Sequence, residues 1–462
     1  MLAIADQIIE EGDQGRGHLT LFRIFPSHTN VTTRNHFKAF EPGKMSAKWL
    51  RRAFVTAVVI YVGGCTSPAP LSRGAAVAPP VRSLEFRQAL GSLVGSGFCS
   101  GNTIYTLNNG DEIFPAMLAA ISSAEQTINF ETFVYDSGEI PECFALALEE
   151  RARAGVRVHV ILDAVGAGKS APYHAALRNA GVELVIYHSA WWLDVRRNNY
   201  RTHRKLLIVD GKVGFIGGVG IADLWKGNAS SPKEWRDLHY EVKGPVVAQL
   251  QAAFEDNWMS SRRELLLGSD YFPALAPTGQ VAAAAFFSSP FRGRSSLEIM
   301  YHIVIASARR SLLIETPYFL PDRSLIEALC AAARRGVRVR IILPGKYMDQ
   351  KAVQRHSRKT WPRLIAAGVK LYEYEPTMIH SKLLIADGLF VSVGSGNLDP
   401  RSLRINDEAN LYVLDAAFAR EQTRIFQKDL LNCRPVNLRH RRVAELVELP
   451  RQTVETPLAS QL

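Results

Sequence analysis

The chain has 462 residues, of which 47% are apolar and 21% charged. This composition predicts one large globular domain or two ordinary ones and excludes a largely disordered chain. Lys and Arg exceed Asp and Glu by 55 to 44, which favours an anionic partner, either nucleic acid or a phospholipid surface. The five cysteines form no Cys-x-x-Cys pair and no Cys/His zinc spacing, so we expect no metal and no cofactor.

The N-terminal region is predicted to be a targeting signal and not part of the fold. Residues 1–44 have mixed composition without a clear period, and we expect a disordered extension or a wrongly placed start. From Met45 the chain has a basic head, an apolar run from Ala53 to Val62, and then Gly-Gly-Cys65. The run is far shorter than the ~20 residues that cross a bilayer as a helix, and it has the length of a signal-peptide core. The alternatives are a short buried helix or a weak membrane anchor.

The segment ending at Cys65 resembles a bacterial lipoprotein signal, in which that cysteine is lipidated. The resemblance implies a protein of the bacterial cell envelope that is lipid-anchored and faces the periplasm. Residues 66–98 are rich in Pro, Ala and Ser and are predicted to be a tether. We expect the folded part to begin between Ser83 and Cys99.

The remainder of the chain is a doubled unit, because several segments recur in the same order. We therefore predict a first lobe over 99–265, a second lobe over 266–435 and a basic tail over 436–462. The echoed segments are "SAEQTINFETFVY" with "SARRSLLIETPYF", "ALEERARAGVRVHVILDA" with "ALCAAARRGVRVRIILPG", and "NAGVELVIY" with "AAGVKLYEY".

Each half alternates strands and helices, which predicts an α/β fold. Strands are predicted at Ile128–Val134 and Val156–Leu162 in the first half, and at Leu312–Glu315 and Val337–Leu343 in the second. The strands that follow the Gly-Val turns are nearly all apolar, as expected where helices cover both faces of a mostly parallel or mixed sheet. The two halves are expected to pack as lobes related by a pseudo-two-fold axis.

The strongest repeat is the pair "THRKLLIVDG" and "IHSKLLIADG". Because side chains alternate along a strand, the His and Lys of each copy should point the same way. The aspartates fall at Asp-Gly turns, so we expect them to brace the turn more than to react. The frame consists of His203, Lys205 and Asp210 in the first copy and His380, Lys382 and Asp387 in the second.

Two such copies predict one shared site between the lobes, where two imidazoles and two ammonium groups converge. This set suits phosphodiester chemistry, with one His as nucleophile and the other as general acid and base. The lysines would hold the non-bridging oxygens. The alternative is a duplicated scaffold without a site, which is disfavoured because a lysine is costly to bury without an anionic partner.

The frame resembles that of the phospholipase D superfamily, and the second copy matches it fully. In that family Ser395 and Asn397 would line the phosphate site, and Glu408 would hold the catalytic imidazole. The first copy departs from the pattern, with Gly218 at the Ser position and Gly220 at the Asn position. Half of the polar side chains expected at the phosphate site are therefore missing from the first copy.

In the first half, Asp237 in "WRDLH" is predicted to be the carboxylate partner, the alternative being a surface salt bridge. From Asn109 to Glu421 the wider sequence resembles bacterial cardiolipin synthases. This implies transfer of a phosphatidyl group between phosphatidylglycerol molecules at a membrane surface, without an obligate protein partner. His203 is the preferred nucleophile and His380 the general acid/base, with the reverse assignment open.

Three other functions stay open: a phospholipase D hydrolase, an endonuclease of the same superfamily, and a non-catalytic lipid-binding lipoprotein. Nucleic acid is the less favoured partner, because no added run of aromatic and basic residues is present. Several basic clusters are most often solvated faces, and their contact with phospholipid headgroups is a hypothesis. These clusters are Arg338–Arg340, Arg355–Lys359 and Arg439–Arg442.

Overall fold

The computed structural model describes residues 78–188, 199–290 and 296–437, all of which belong to one compact unit. The predictions for residues 1–44, for the signal ending at Cys65 and for the Arg439–Arg442 cluster lie outside these residues. Within them the chain is a mixed α/β fold with one continuous sheet of fifteen strands.

The strands alternate with helices over most of the chain, as the apolar periodicity predicts. In chain order the strands are β1 (Cys99–Asn108), β2 (Thr127–Thr132), β3 (Arg157–Asp163), β4 (Glu183–Tyr187), β5 (Leu206–Val209), β6 (Val213–Gly217), β7 (Leu238–Lys243), β8 (Val281–Ser288), β9 (Ser311–Glu315), β10 (Arg338–Pro344), β11 (Lys370–Tyr374), β12 (Leu383–Ala386), β13 (Phe390–Gly394), β14 (Glu408–Leu414) and β15 (Cys433–Pro435).

Ten α-helices are present in the described part of the chain, and none of those helices is long and apolar enough to span a bilayer. They are α1 (Leu84–Val94), α2 (Asn109–Ser122), α3 (Glu139–Arg153), α4 (Ala171–Asn179), α5 (Val247–Arg262), α6 (Ser296–Ser307), α7 (Arg323–Arg334), α8 (Lys351–Ala366), α9 (Pro400–Arg404) and α10 (Ala416–Leu431).

The sheet repeats the same topology on either side of its centre. One half runs β1-β7-β6-β5-β2-β3-β4, and the other runs β8-β14-β13-β12-β9-β10-β11, with β15 added at the outer edge. The halves join where β1 pairs antiparallel with β8. In each half three strands are parallel and the rest antiparallel. The predicted duplicated α/β fold with two related lobes is confirmed.

A shared apolar core joins the two lobes. It contains Ile208 of β5 and Ile385 of β12, together with Phe254 of α5 and Phe426 of α10. Each lobe also has its own core on the outer face of its sheet. Since burial of apolar surface is the main stabilising term, this shared core fixes the two motif strands β5 and β12 relative to each other.

The prediction of a tether over 66–98 is wrong for its last part, because α1 lies within it. Ser83 caps this helix by accepting a hydrogen bond from Phe86 N at 3.1 Å. Phe86 and Leu90 are fully buried in the outer core of the second lobe. The helix has only eleven residues and follows a segment rich in Pro and Ala, so its amphipathic pattern was not recognised in the sequence.

Candidate active site

The two motif segments meet at the junction of the lobes. His203 lies in the extended segment before β5, and its backbone N donates to the carbonyl of Asp407 at 2.8 Å. His380 lies in the matching segment before β12, and its backbone N donates to the carbonyl of Arg236 at 2.7 Å. Each motif segment therefore runs beside the segment that precedes a strand of the opposite lobe.

This arrangement pairs each imidazole with a carboxylate of the other lobe. Nδ1 of His203 lies 3.0 and 2.9 Å from the two carboxylate oxygens of Glu408. Nδ1 of His380 lies 2.8 Å from Oδ2 of Asp237. The predicted pairing, with Asp237 serving the first half and Glu408 the second, is wrong. The bridges between the lobes place the acidic residue of one half beside the histidine of the other.

The two carboxylates are themselves held by further donors. Glu408 accepts hydrogen bonds from the hydroxyls of Ser395 at 2.5 Å and Ser402 at 2.6 Å. Asp237 accepts one from Nε1 of Trp225 at 2.9 Å. Ser402 and Trp225 are site residues that the sequence reasoning missed. They are 177 positions apart, as are the two histidines. Comparison of the two copies at this offset could have identified them as corresponding residues.

Two buried lysines complete the site. Nζ of Lys205 donates to the carbonyl of His203 at 2.7 Å, and Nζ of Lys382 donates to the carbonyl of His380 at 2.6 Å. Neither lysine forms an ion pair within the described residues. Burial and, next, the neighbouring Lys382 ammonium lower the pKa of Lys205 to about 7. Burial lowers the pKa of Lys382 to about 8, against the opposing effect of Asp237. A bound anion would offset both desolvation costs.

The surroundings of the two imidazoles favour their neutral form by lowering both pKa values. Burial lowers the pKa of His203 to about 4, against Glu408, which raises it. Burial and then Lys382 lower the pKa of His380 to about 4. Burial by itself would raise the pKa of Asp237, but His380 and Lys382 lower it to about 2. An ionised carboxylate at Nδ1 fixes the ring tautomer, so Nε2 carries the lone pair that can react.

Aromatic rings surround the two imidazoles unequally. The ring of His380 lies 5.3 Å from that of Trp225, 5.2 Å from that of Trp235 and 6.1 Å from that of Tyr318, measured between centroids. The ring of His203 has one such neighbour in the described chain, Phe133 at 5.2 Å. The side of the site near His380 is therefore the more apolar one.

The polar lining predicted for the phosphate site is only partly available to a ligand. The side chain of Asn397 is 2% exposed, and its Oδ1 has no hydrogen-bond partner among the described residues. Such a buried polar atom indicates a place for a ligand or water. The hydroxyl of Ser395, by contrast, donates to Glu408. Its first function in this structure is to hold the carboxylate.

The glycines of the first copy make room for their neighbours. A Cβ on Gly218 would lie 2.2 Å from Oδ1 of Asp237, so the carboxylate fills the place of the missing side chain. A Cβ on Gly220 would lie 2.6 Å from Cβ of Val134 and 3.1 Å from the indole of Trp225. Gly218 therefore contributes space and not a hydrogen bond to the site.

The two motif aspartates lie at the far ends of the four-residue strands β5 and β12. Asp210 accepts hydrogen bonds from the backbone N of Gln126 at 2.7 Å and of Thr127 at 2.8 Å. Asp387 accepts one from Arg310 N at 2.7 Å. Both aspartates have a positive φ, 51° and 54°, as their turns require. They join the turns to the start of β2 and of β9 and do not touch the imidazoles.

Neutral imidazoles held by carboxylates, next to two buried ammonium groups, form a site for nucleophilic displacement at an anionic centre such as a phosphodiester. The described His, Cys, Asp and Glu side chains form no group of three that could hold a metal ion. The fold and the site together define a phospholipase D-like protein.

Comparison with known proteins agrees with this class. The family described as "Cardiolipin synthase, PLD-like domain" matches residues 117–258 and 301–430. The chain belongs to this family. The two matched segments correspond to the two lobes, with each histidine motif inside one of them.

The chain is similar to the cardiolipin synthase of Geobacillus kaustophilus, with 37% identity over 328 residues, covering 70% of this chain and 65% of that protein. It is 35% identical over 329 residues to cardiolipin synthase 2 of Bacillus cereus, covering 70% and 64% of the two chains. The chain thus spans about two thirds of the length of these relatives.

Among solved structures, the phosphatidylserine synthase of Haemophilus influenzae has a similar fold, with a TM-score of 0.57 at 15% identity. The match covers 76% of this chain and 92% of that one. At this level of identity the likeness concerns the fold.

Proposed function

We propose that this chain is a phosphatidyltransferase of the cardiolipin-synthase type, which moves a phosphatidyl group from one phosphatidylglycerol molecule to another. The observation that carries the proposal is the crosswise pairing of His203 with Glu408 and of His380 with Asp237, beside two lysines without acidic partners. The named activity of the relatives that match both lobes supports the choice of substrate.

The first step forms a covalent intermediate. The lone pair on Nε2 of His203 attacks the phosphorus of phosphatidylglycerol, a P–N bond forms, and the P–O bond to the headgroup glycerol breaks. His380, protonated once the anionic substrate offsets the charge of Lys382, donates its proton to the leaving glycerol oxygen. The ammonium groups of Lys205 and Lys382 stabilise the charge on the non-bridging oxygens.

The second step regenerates the enzyme. A hydroxyl of a second phosphatidylglycerol gives its proton to His380 as its oxygen attacks phosphorus, and the P–N bond to His203 breaks. The products are cardiolipin and glycerol. Water in place of the second lipid would give phosphatidic acid by the same route.

The roles of the histidines follow from their supports. Glu408 contacts Nδ1 of His203 through both oxygens and is fixed by two serine hydroxyls, which suits a nucleophile that becomes positively charged. Trapping the phosphoenzyme with labelled phosphatidylglycerol and mapping the modified residue tests this assignment. We expect the label on His203, in the wild type and in His380→Ala. Label on His380 would reverse the roles.

The activity itself is tested by incubating the purified chain with phosphatidylglycerol vesicles and, separately, with plasmid DNA. We expect cardiolipin and free glycerol from the vesicles and intact plasmid. Phosphatidic acid as the main product would make the protein a hydrolase, and nicked DNA alone would make it an endonuclease. An unchanged lipid composition in both the wild type and His203→Ala would favour a lipid-binding protein without activity.

We further propose that the protein acts in the bacterial cell envelope, anchored by a lipid on Cys65 and facing the periplasm. The support is the basic head, short apolar run and Gly-Gly-Cys of the sequence. Metabolic labelling with an alkyne fatty acid should mark the wild type and not Cys65→Ser. Equal labelling of the two would remove the anchor from the proposal.

A further inference from the structure

Helix α8 carries a line of positive charge that the proposed reaction does not use. Four exposed cations follow one another at four-residue intervals along it, and the helix contains no acidic residue. Residues spaced by four lie on one face of a helix. They are Lys351, Arg355, Lys359 and Arg363.

Three of the four have no acidic partner in the described part of the chain. Arg363 pairs with Glu327 at 3.2 Å. Lys351 donates to a backbone carbonyl, that of Lys346, and no ion pair involves Arg355 or Lys359 within the described residues. The opposite face of α8 is fixed in the fold, because Trp361 and Leu364 are buried in the outer core of the second lobe.

The cationic face begins beside the active site. The ring of Tyr318 lies 6.1 Å from that of His380, and its hydroxyl donates to Asp349 at 2.7 Å, two residues before α8 starts. At the same end, Nζ of Lys346 lies 4.7 Å from the centre of the Tyr347 ring. Partly exposed aromatic rings next to lysines are typical of surfaces that meet lipid headgroups.

The first lobe has no such face on its corresponding helix. Helix α4 has nine residues and one fully charged cation, Arg178. Helix α4 therefore has no counterpart of the cationic face of α8. Elsewhere, α10 carries Arg420, Arg424 and Lys428 at the same spacing, but it also contains Glu421 and Asp429 and packs on the other face of the sheet.

We propose that the cationic face of α8, with Lys346 and Tyr347 at its start, docks on an anionic bilayer and turns the mouth of the active site toward the lipid. Its partner is the anionic headgroup layer as a surface, distinct from the single phospholipid that reacts. The inference rests on the proposed function only in that the reacting lipid comes from the same bilayer.

Lysine footprinting of the full chain tests the docking directly. An amine-acetylating reagent is applied without vesicles, with phosphatidylglycerol vesicles and with phosphatidylcholine vesicles. We expect phosphatidylglycerol vesicles, and not phosphatidylcholine vesicles, to protect Lys346, Lys351 and Lys359. Lys428 on α10 should react equally in all three conditions. Equal protection of Lys428, or no protection of the α8 lysines, would overturn the proposal.

A matched pair of variants measures the effect on vesicle binding. One variant replaces Lys351, Arg355 and Lys359 by Gln, and the control replaces Arg420, Arg424 and Lys428 by Gln. Each surface cation contributes about fivefold to binding of an anionic membrane, so the α8 variant should lose on the order of 100-fold in vesicle binding at low salt. The control should lose much less, and added salt should reduce the difference between the two.

A soluble substrate separates failure of the docking from failure of the chemistry. Short-chain phosphatidylglycerol below its micelle concentration needs no bilayer, so both variants should turn it over at the wild-type rate. A wild type inactive on this substrate and on vesicles would remove the proposed function, and the footprint would still decide the docking. Equal loss by both variants on vesicles would show a net-charge effect and refute the role of α8.

Discussion

The two halves of the active site use the same His-Lys frame but hold their imidazoles in different ways. His203 is held by Glu408, whose side chain reaches past Ser395 and Ser402 and accepts a hydrogen bond from each. His380 is held by the shorter Asp237, which lies against the backbone of Gly218. The longer acid accepts from two hydroxyl groups, whereas the shorter acid accepts from the indole N–H of Trp225.

At other corresponding positions of the two copies, a large residue in one copy is likewise matched by a small residue in the other. In the second copy the position 177 residues after Trp225 holds the small Ser402, and Asn397 has space for its amide. In the first copy Cβ of Val134 and the indole of Trp225 occupy that space, so position 220 must be glycine. The apparent erosion of the first motif is therefore a coordinated change of packing, and it makes one side of a duplicated site polar and the other apolar.

Neutralising each carboxylate should cause the largest loss of activity, and it tests whether each imidazole depends on its own acid. Glu408→Gln and Asp237→Asn should each lower kcat by on the order of 10⁴, because the imidazole loses both its tautomer control and the stabilisation of its charged form. Glu373→Gln, a buried acid paired with Arg358 and Arg434, is the control.

Nitrogen-15 NMR of the histidine rings identifies the partner of each acid. Glu408→Gln should move the resonances of His203 and leave those of His380 nearly unchanged, and Asp237→Asn should do the reverse. Perturbation of the histidine in the same half as the substituted acid would contradict the crosswise pairing.

Adding a single methyl group should break the packing of the first half. Gly218→Ala places Cβ 2.2 Å from Oδ1 of Asp237, which must displace the carboxylate from His380. A displacement of this size costs about 10² in kcat. Gly97→Ala, where an added Cβ meets no atom within 4 Å, is the control. Full activity of Gly218→Ala would show that the carboxylate can relax without loss.

Removing the donors to the carboxylates should have a smaller effect. Ser402→Ala and Trp225→Phe each delete one hydrogen bond to a charged group, which contributes about 1.5–3 kcal/mol. We expect roughly a tenfold or somewhat larger fall in kcat, with the protein still folded by thermal melting. If the two donors serve different histidines, the activation free-energy losses of the single variants should add in the double variant.

The smallest effect concerns pH. The lowered pKa values of Lys205 and Lys382, about 7 and about 8, mean that the ammonium groups lose their protons as the pH rises through this range. Affinity for the anionic substrate should fall, so kcat/KM should drop several-fold between pH 7 and 8. Protonation of the nucleophile His203 should give a second fall in kcat/KM as the pH drops toward 4. A kcat/KM that stays constant from pH 6 to 9 would contradict the role of the lysines.

The repeats allowed much of the fold to be predicted. The strand at Ile128–Val134 corresponds to β2 (Thr127–Thr132), and that at Val337–Leu343 to β10 (Arg338–Pro344). The apolar run after the Gly336-Val337 turn specifies β10 locally, and β2 was recognised because the segment that contains it recurs in the second half. Helix α1 was missed because its burial depends on contacts with α6, which lies some 200 residues later in the chain.

The sequence by itself determined that two His-x-Lys frames exist, that a strand follows each, and that a turn with an aspartate ends this strand. These are local properties, fixed by side-chain alternation and turn chemistry. Only the tertiary structure decided which carboxylate holds which imidazole, why Gly218 is glycine, and that Trp225 and Ser402 belong to the site. Those facts depend on segments from opposite lobes lying side by side. A contact between segments that are distant in the chain leaves no local pattern in the sequence.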